Sequence, residues 1–388
     1  MRVLMLSTPV PTHFTPLVPL AWALRAAGHE VLVAGQPDVL GAVASAGLNA
    51  VSVGVGFHVQ DLLLGGLREG ERPLETRSRA ELEEMGGAGR VWTTHTRYMW
   101  QAYLDTARAF RPDLVVSDPL EFSALIVGGA LGVPVAQHRW GVDPMSDTAR
   151  LEARRGLQGL CDRLGLAALP DPAVLLDPCP PSLQLPEAVP GTPIRFVPFN
   201  GNGSLPDWAR AGRAGRAGTR RVVVSLGGRT LDLNGVPLAR RLLRAFGGLP
   251  GTEVIATVDE RHRQEIGPVP DTVRMVDPVP LNLLLGDCDA IVHHGGAGTA
   301  MTATAFGLPQ LVLPQIADQF AHGDRLAGAG AAITLDSAGA QNDPERLSAA
   351  LGELLSGPGY SKAAGAVREE MAAMPAPSRV AADLEHLI

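Results

Sequence analysis

Two adjacent histidines stand directly ahead of a glycine-rich turn in the run Ile291-Val292-His293-His294-Gly295-Gly296-Ala297-Gly298-Thr299-Ala300. Glycines let a backbone approach a ligand closely. A helix beginning near Thr299 adds unpaired N–H groups and a positive dipole end, both of which favour a diphosphate. The His294 imidazole can donate to phosphate oxygens. One strand further on, Leu311-Val312-Leu313-Pro314 leads to Asp318-Gln319, a carboxylate beside an amide. Such a pair can accept from and donate to the vicinal hydroxyls of a sugar. A third candidate is His13, in the loop after the first apolar strand and just ahead of a helix N-terminus. The positive end of a helix favours a neutral ring that can accept a proton. Asp118 follows the strand Leu114–Val116 at the same sheet edge, where a carboxylate could hold the His13 ring and stabilise its charged form. Asp287-Cys288-Asp289 has the spacing of a metal-binding D-x-D. However, Asp289 begins the strand that leads to His293, at the end away from the ligand loops, and no further ligand cluster accompanies it, so no metal is expected.

The elements that must carry these residues form two α/β series. Val3–Ser7 reads as a buried strand, Thr8–Phe14 as a Pro-rich turn, and Thr15 as a helix cap with Pro16 at the first helical position. Leu17, Leu20, Ala21 and Leu24 recur at helical spacing, Gly28 stops the helix, and Val31–Ala34 is the next strand. The pattern returns at Leu114–Val116, Ala124–Leu131 and Val133–Gln137. Residues 54–99 break the rhythm and read equally well as a binding loop and as a passive one. Residues 201–219 are rich in Gly, Ala, Ser and Arg and read as a linker. A second series follows: Val222–Val224, the turn Gly227-Gly228, the helix Leu238–Phe246, then strands at Val254–Thr257, Thr272–Met275, Ala290–His293 and Pro309–Leu313. The expected domains are 1–200 and 220–370, with a C-terminal stretch 371–388 that packs back on the first. Ligands of open α/β sheets bind beyond the carboxyl ends of the strands. The loops after Ser7, Val224, His293 and Leu313 are therefore the ones to line a site.

The chain has 388 residues, 46% hydrophobic and 19% charged, with a formal net charge of −7. That supports two packed cores and argues against a nucleic-acid partner. The one basic cluster, Arg210, Arg213, Arg216, Arg220 and Arg221, reads as a solvated linker. Three scattered cysteines, Cys161, Cys179 and Cys288, indicate neither a zinc site nor a disulfide framework and suit the cytoplasm. No apolar run reaches membrane length, and Pro9 and Pro11 interrupt the start. A nicotinamide enzyme would need G-x-G-x-x-G after the first strand, where Thr8-Pro9-Val10-Pro11-Thr12 has no glycine.

His-His-Gly-Gly-Ala-Gly-Thr at 293–299, followed by Pro309-Gln310-Leu311-Val312-Leu313-Pro314 and Asp318-Gln319-Phe320, resembles the donor signature of family-1 glycosyltransferases, among them the actinomycete enzymes that decorate polyketides. The resemblance runs from Arg2-Val3-Leu4 and Gly28-His29-Glu30-Val31 to Met374-Pro375. It implies an α/β chain of the GT-B fold, with two Rossmann-like domains facing across a cleft, inversion at the anomeric carbon, and no metal or cofactor beyond a TDP-sugar co-substrate. By motif, His13 would be the general base on the acceptor hydroxyl and Asp118 its orienter. His294, Gly296, Gly298 and Thr299 would hold the diphosphate, with Gly227 bordering it, and Asp318 and Gln319 would hold the sugar. Many relatives stack a Trp on the nucleobase. Here Val276-Asp277-Pro278-Val279-Pro280 has no aromatic, leaving Val279 and Pro280 to frame thymine with backbone and aliphatic contacts. The implied partners are a TDP-sugar and a small apolar aglycone, and a homodimer is compatible with the resemblance. The implied reaction moves a 6-deoxyhexose, L-rhamnose, to a polyketide hydroxyl in antibiotic biosynthesis. C-glycosylation of an aromatic polyketide stays open. So does a catalytically silent nucleotide-sugar-binding partner, although the presence of both His13 and Asp318 argues against it.

Overall fold

Apolar runs without alternation are what strands buried on both faces require, and Val3–Leu6 and Val222–Val224 occupy the middle of two parallel sheets. The structure is a computed structural model that describes residues 1–86, 89–210 and 218–388. The first sheet contains β1 (Arg2–Leu6), β2 (Glu30–Gly35), β3 (Ala50–Ser52), β4 (Leu114–Ser117), β5 (Val135–His138), β6 (Val174–Asp177) and β7 (Thr192–Pro193), in the order β3-β2-β1-β4-β5-β6-β7. The second contains β8 (Arg220–Ser225), β9 (Thr252–Thr257), β10 (Val273–Val276), β11 (Ala290–His293), β12 (Gln310–Val312) and β13 (Ala332–Thr334), in the order β10-β9-β8-β11-β12-β13. Each order reverses once, between β1 and β4 and between β8 and β11. At such a switch point the crossover helices leave on opposite faces and a crevice opens at the carboxyl edge. The registers place Leu6 beside Ser117 and Ser225 beside His293, so the loops that follow these residues start side by side.

The chain divides into two units, Met1–Val59 with Gly87–Gly201 and Ala373–Ile388, and Gln60–Gly86 with Asn202–Ala372. The tail joins the first unit through Arg195 N–H on the Pro375 carbonyl at 2.7 Å and His29 on Glu385 at 2.9 Å. Among the described residues no helix is long and apolar enough to cross a membrane.

Several elements differ from the sequence expectation. The first helix begins at Pro11, not at Thr15, and passes through a 3-10 turn at Thr15–Leu17 into Val18–Ala26. Pro11 already has the φ of a first helical position. Pro16 has no N–H for the Thr12 carbonyl, and the Thr15 hydroxyl donates to that carbonyl instead, at 3.4 Å. Residues 54–99 are largely helical, with Val59–Leu64, Pro73–Thr76, Arg79–Gly86 and the start of Gly89–Phe110. Part of this stretch, Gln60–Gly86, belongs to the second unit, although the main division falls at Gly201, next to the boundary expected at 200. Within 201–219, Asp207–Ala209 forms a 3-10 turn and Trp208 packs on a cluster with Leu281, Leu285 and Cys288. Arg221 is not solvated. It is buried in β8 and pairs with Glu253 at 2.9 Å. Arg213 and Arg216 lie outside the described residues.

One buried cation holds the loops after β5 and β6. Arg139 is fully buried and reaches Asp143 at 2.6 Å, Asp177 at 2.8 Å, Asp147 at 3.3 Å and the Val189 carbonyl at 2.8 Å. Removing the cation would leave these carboxylates unbalanced in a low-dielectric interior. Arg139→Ala should therefore cost about 3–5 kcal/mol. Urea denaturation with an unchanged midpoint would contradict this account.

Candidate active site

The candidate base of the first unit lies just past β1. His13 lies in the short helix Pro11–Phe14, inside the first turn and not ahead of it. Its Nδ1 is 2.7 Å from the Thr8 hydroxyl oxygen. Thr8 donates its hydroxyl proton to Asp118 Oδ2 at 3.1 Å and its backbone N–H to the same oxygen at 2.6 Å. With its proton committed to Asp118, the Thr8 oxygen accepts from His13 Nδ1–H, which fixes the tautomer and assigns the basic lone pair to Nε2. The expected direct contact between Asp118 and His13 is thus replaced by a relay through Thr8. The relay arises because Thr8 follows β1, Asp118 follows β4, and these two strands are neighbours. The Trp140 ring stacks on His13, with centroids 3.9 Å apart and 32° between planes, and its Nε1–H donates to the His13 carbonyl at 3.1 Å. An indole face stabilises a positive imidazole. Trp92 sits 6.0 Å away and Phe57 is 5.9 Å from Trp92, which gives the His13 ring an aromatic wall.

Behind the relay lie two buried acids. Asp118 is fully buried. Burial and the neighbouring Glu121 push its carboxyl up to about 7, against the pull of N–H and O–H donors from Thr8 and Leu120. Glu121 is also fully buried and is pushed up to about 7 by burial, against donation from Ser123. His95 gives Nε2 to Gln36 at 2.6 Å and has Nδ1 3.8 Å from Glu121, while burial brings it down to about 4, so it stays neutral.

In the second unit the two histidines have different roles. His293 Nδ1 accepts from Gly295 N–H at 3.0 Å, so its proton is on Nε2 and goes to Gln310 Oε1 at 2.8 Å. Burial pushes its pKa down to about 3, and the ring shapes the turn. His294 is brought down to about 4 by burial, against a hydrogen bond to the Ser225 backbone, and its Nδ1 has no partner among the described residues. A Cβ on Gly227 (φ +73°) would meet the His294 ring at 2.9 Å, and one on Gly296 would meet it at 2.4 Å. Glycine is needed at both positions to admit the ring, as much as to admit a ligand. The helix is Ala297–Ala305 with Gly296 as its cap, so it starts before Thr299. Gly298 faces open space.

Arg229, in the turn Gly227–Thr230 after β8, was not among the sequence candidates. It makes no ion pair or hydrogen bond among the described residues, and burial lowers its pKa against the nearby Asp318 charge. A desolvated guanidinium beside His294 suits an anion. The signal for it was a cation two residues into a glycine turn that follows a buried strand. Asp318 stands at the N-cap of Gln319–Gly328 without capping it through its side chain. Gln319 Oε1 accepts from the N–H groups of Gln315 at 2.8 Å and Ile316 at 3.2 Å and so braces the loop, with its Nε2 as the group that can still donate to a sugar hydroxyl. Val279 is half-buried, and Pro280 is buried against the Gly203 backbone. Asp289 accepts the Arg221 N–H at 2.8 Å at the entry to β11, and Cys288 is buried.

Two parallel-sheet α/β units, each with a histidine-bearing turn at its switch point, have the architecture of the GT-B fold. Comparison with known proteins agrees: residues 22–227 and 240–387 match the N- and C-terminal domains described as erythromycin biosynthesis protein CIII-like. The chain belongs to that family and is a glycosyltransferase. It is 38% identical to the L-demethylnoviosyl transferase of Streptomyces niveus, over 99% of this chain and 97% of that one. It is 34% identical to the TDP-daunosamine transferase DnrS of Streptomyces peucetius, over 100% and 97%. Among solved structures it matches spinosyn rhamnosyltransferase SpnG with a TM-score of 0.89 and 37% identity, covering 100% of both chains. SpnG has also been solved with thymidine diphosphate and with spinosyn aglycone.

Two outcomes follow from this geometry. His294→Ala and Arg229→Ala should each weaken binding of TDP by about 1.5–3 kcal/mol, as for hydrogen bonds to charged groups. Calorimetry on folded variants with unchanged affinity would remove them from the anion site. Folding raises the Glu121 carboxyl from the ordinary carboxylate range to about 7. Stability from this group is therefore full at pH 4 and is lost as pH rises towards 7. Glu121→Gln should stabilise the protein more at pH 8 than at pH 4, read as the difference in thermal midpoint from wild type.

Proposed function

We propose that this glycosyltransferase moves L-rhamnose from TDP-L-rhamnose to a hydroxyl of a polyketide-type aglycone, with inversion and without a metal. The observation that carries the mechanism is the His13–Thr8–Asp118 relay, which directs the basic lone pair to Nε2. An alcohol is a poor nucleophile at neutral pH, and a positioned base contributes roughly 10²–10⁴-fold. Nε2 takes the proton as the acceptor oxygen attacks the anomeric carbon. The charge that appears on the ring is stabilised by the Trp140 face and, through Thr8, by Asp118 in its ionised form. As the sugar departs, negative charge collects on the diphosphate. There the N-terminus of Ala297–Ala305, His294 and Arg229 supply preorganised donors. Asp318 faces the sugar hydroxyls, while Val279 and Pro280 frame the thymine. The aromatic wall of Trp92, Phe57 and Trp140 suits an apolar acceptor. The choice of rhamnose and of a polyketide acceptor is supported by full-length similarity to a spinosyn rhamnosyltransferase.

Mass spectrometry of the purified protein with a panel of TDP-sugars and aglycones tests the reading directly. TDP-L-rhamnose should be turned over in the presence of EDTA, and transfer of a different sugar alone would replace rhamnose as the donor. His13→Ala should lower turnover by at least about a hundredfold and abolish the acidic limb of the pH profile, because protonated His13 is the inactive form. Thr8→Val should lower turnover less and keep that limb, since the imidazole itself remains in place. If His13→Ala keeps most of its turnover, the base is elsewhere.

A further inference from the structure

Gln60–Gly86 follows β3 in sequence and precedes the helix Gly89–Phe110, yet it belongs to the second unit. A polar knot around Arg72 fastens it there. The Arg72 side chain is buried and gives Nη1–H to Gln315 Oε1 at 2.9 Å and to Gln341 Oε1 at 2.5 Å, and Nη2–H to Asn342 Oδ1 at 2.8 Å. Its Nε is 3.3 Å from Glu75 Oε1, which also accepts from Asn342 Nδ2 at 2.8 Å. A planar fork meeting three amide oxygens and one carboxylate is a geometry that an ammonium cannot reproduce. Apolar and ionic ties accompany it: Leu74 and Leu82 pack on Phe320, and Arg79 pairs with Asp324 and Asp336.

These ties converge on the loop 314–319 and the helix that follows it. The Gln315 side chain is held by Arg72 and also donates to Gln341 at 2.8 Å and to the Leu313 carbonyl at 2.9 Å. Ala317 has a φ of +54°, left-handed backbone that disfavours alanine and persists where the surroundings over-determine it. Here the surroundings include the Leu82 carbonyl, which accepts the Ala317 N–H at 3.1 Å. Asp318 is the next residue, so the location of its carboxylate depends on a segment far away in sequence.

We propose that Gln60–Gly86 is a strap that positions the donor-sugar loop, with Arg72 as its positioning residue, so that sugar recognition is set partly by residues outside the donor motif. The proposal rests on the reading that Asp318 faces the sugar. Arg72 acts through Gln315 and the backbone of 315–317. The Arg72 guanidinium gives its hydrogen bonds to Gln315, Gln341 and Asn342, and none of them to the turn 294–299.

Arg72→Met and Arg72→Lys test the strap, using free TDP and the TDP-sugar that the wild type turns over. Affinity for TDP should stay within about twofold of wild type, while KM for the TDP-sugar rises about tenfold or more, since small misplacements at a site are costly. The Lys variant should fall between Met and wild type, and amide exchange at Gln315, Ile316 and Ala317 should speed up in both. Equal loss of affinity for TDP and TDP-sugar, or unchanged KM and exchange, overturns the proposal. If Arg72→Met does not fold, Arg72→Lys decides by the same readings. Asp318→Ala run alongside separates the two ideas. A KM rise for Asp318→Ala without one for Arg72 removes only the strap, whereas no change for Asp318→Ala removes the sugar-loop reading beneath it.

Discussion

Where β1 lies beside β4, the two strands end together and their chains leave for opposite faces of the sheet. Everything at the proposed base depends on that parallel pairing. It brings Thr8 within reach of Asp118, across more than a hundred positions of sequence, and Thr8 in turn orients His13. The same construction recurs where β8 lies beside β11, bringing the Gly227 turn against His294. A buried strand that alternated polar and apolar residues could not occupy either place, which is why both are continuous apolar runs.

The interior accepts electrostatic cost at these edges. Asp118 and Glu121 are buried close together, and burial drives both carboxyls up to about 7. The three donors on Asp118 favour its ionised form while the dry surroundings favour the neutral one. That opposition makes Thr8 more than a spacer, since its hydroxyl stabilises the carboxylate and fixes the ring's tautomer in one arrangement. In the second unit the opposite problem is handled sterically. Two glycines leave room for an imidazole that burial keeps neutral, and the Arg229 guanidinium lies near it, with Asp318 as the neighbouring anion.

The loop bearing Asp318 shows a different economy. Gln319 spends its oxygen on two backbone N–H groups, Gln315 is fixed by Arg72, and Ala317 is held in a left-handed turn by Leu82. A loop so constrained presents Asp318 with little conformational entropy left to lose on binding. Part of the constraint is internal to the loop, and part comes from Arg72 and Leu82 in the segment that follows β3.

Features governed by local chemistry were legible in the sequence. The α/β repetition, the buried strands, the glycine turn before a helix and the histidines beside it all follow from hydrophobic runs, turn residues and spacing. So did His13, His294 and Asp318 as candidates, because each sits just past the carboxyl end of a strand. The helix Gly89–Phe110 could also have been found, since Trp92, Thr96, Met99, Tyr103, Leu104, Ala107 and Phe110 repeat at helical intervals and are buried. Other features depended on partners distant in sequence. Thr8 is an ordinary turn residue until β4 delivers Asp118 beside it, and the second role of Gln319, holding the N–H groups of Gln315 and Ile316, appears only when the loop folds. Arg72 reads as one surface charge among many, and only folding surrounds it with Gln315, Gln341 and Asn342. Local propensity and periodicity are written in neighbouring residues. The partner of a buried polar group is chosen by which strands pair and which loops then meet, and that is settled only when the tertiary structure forms.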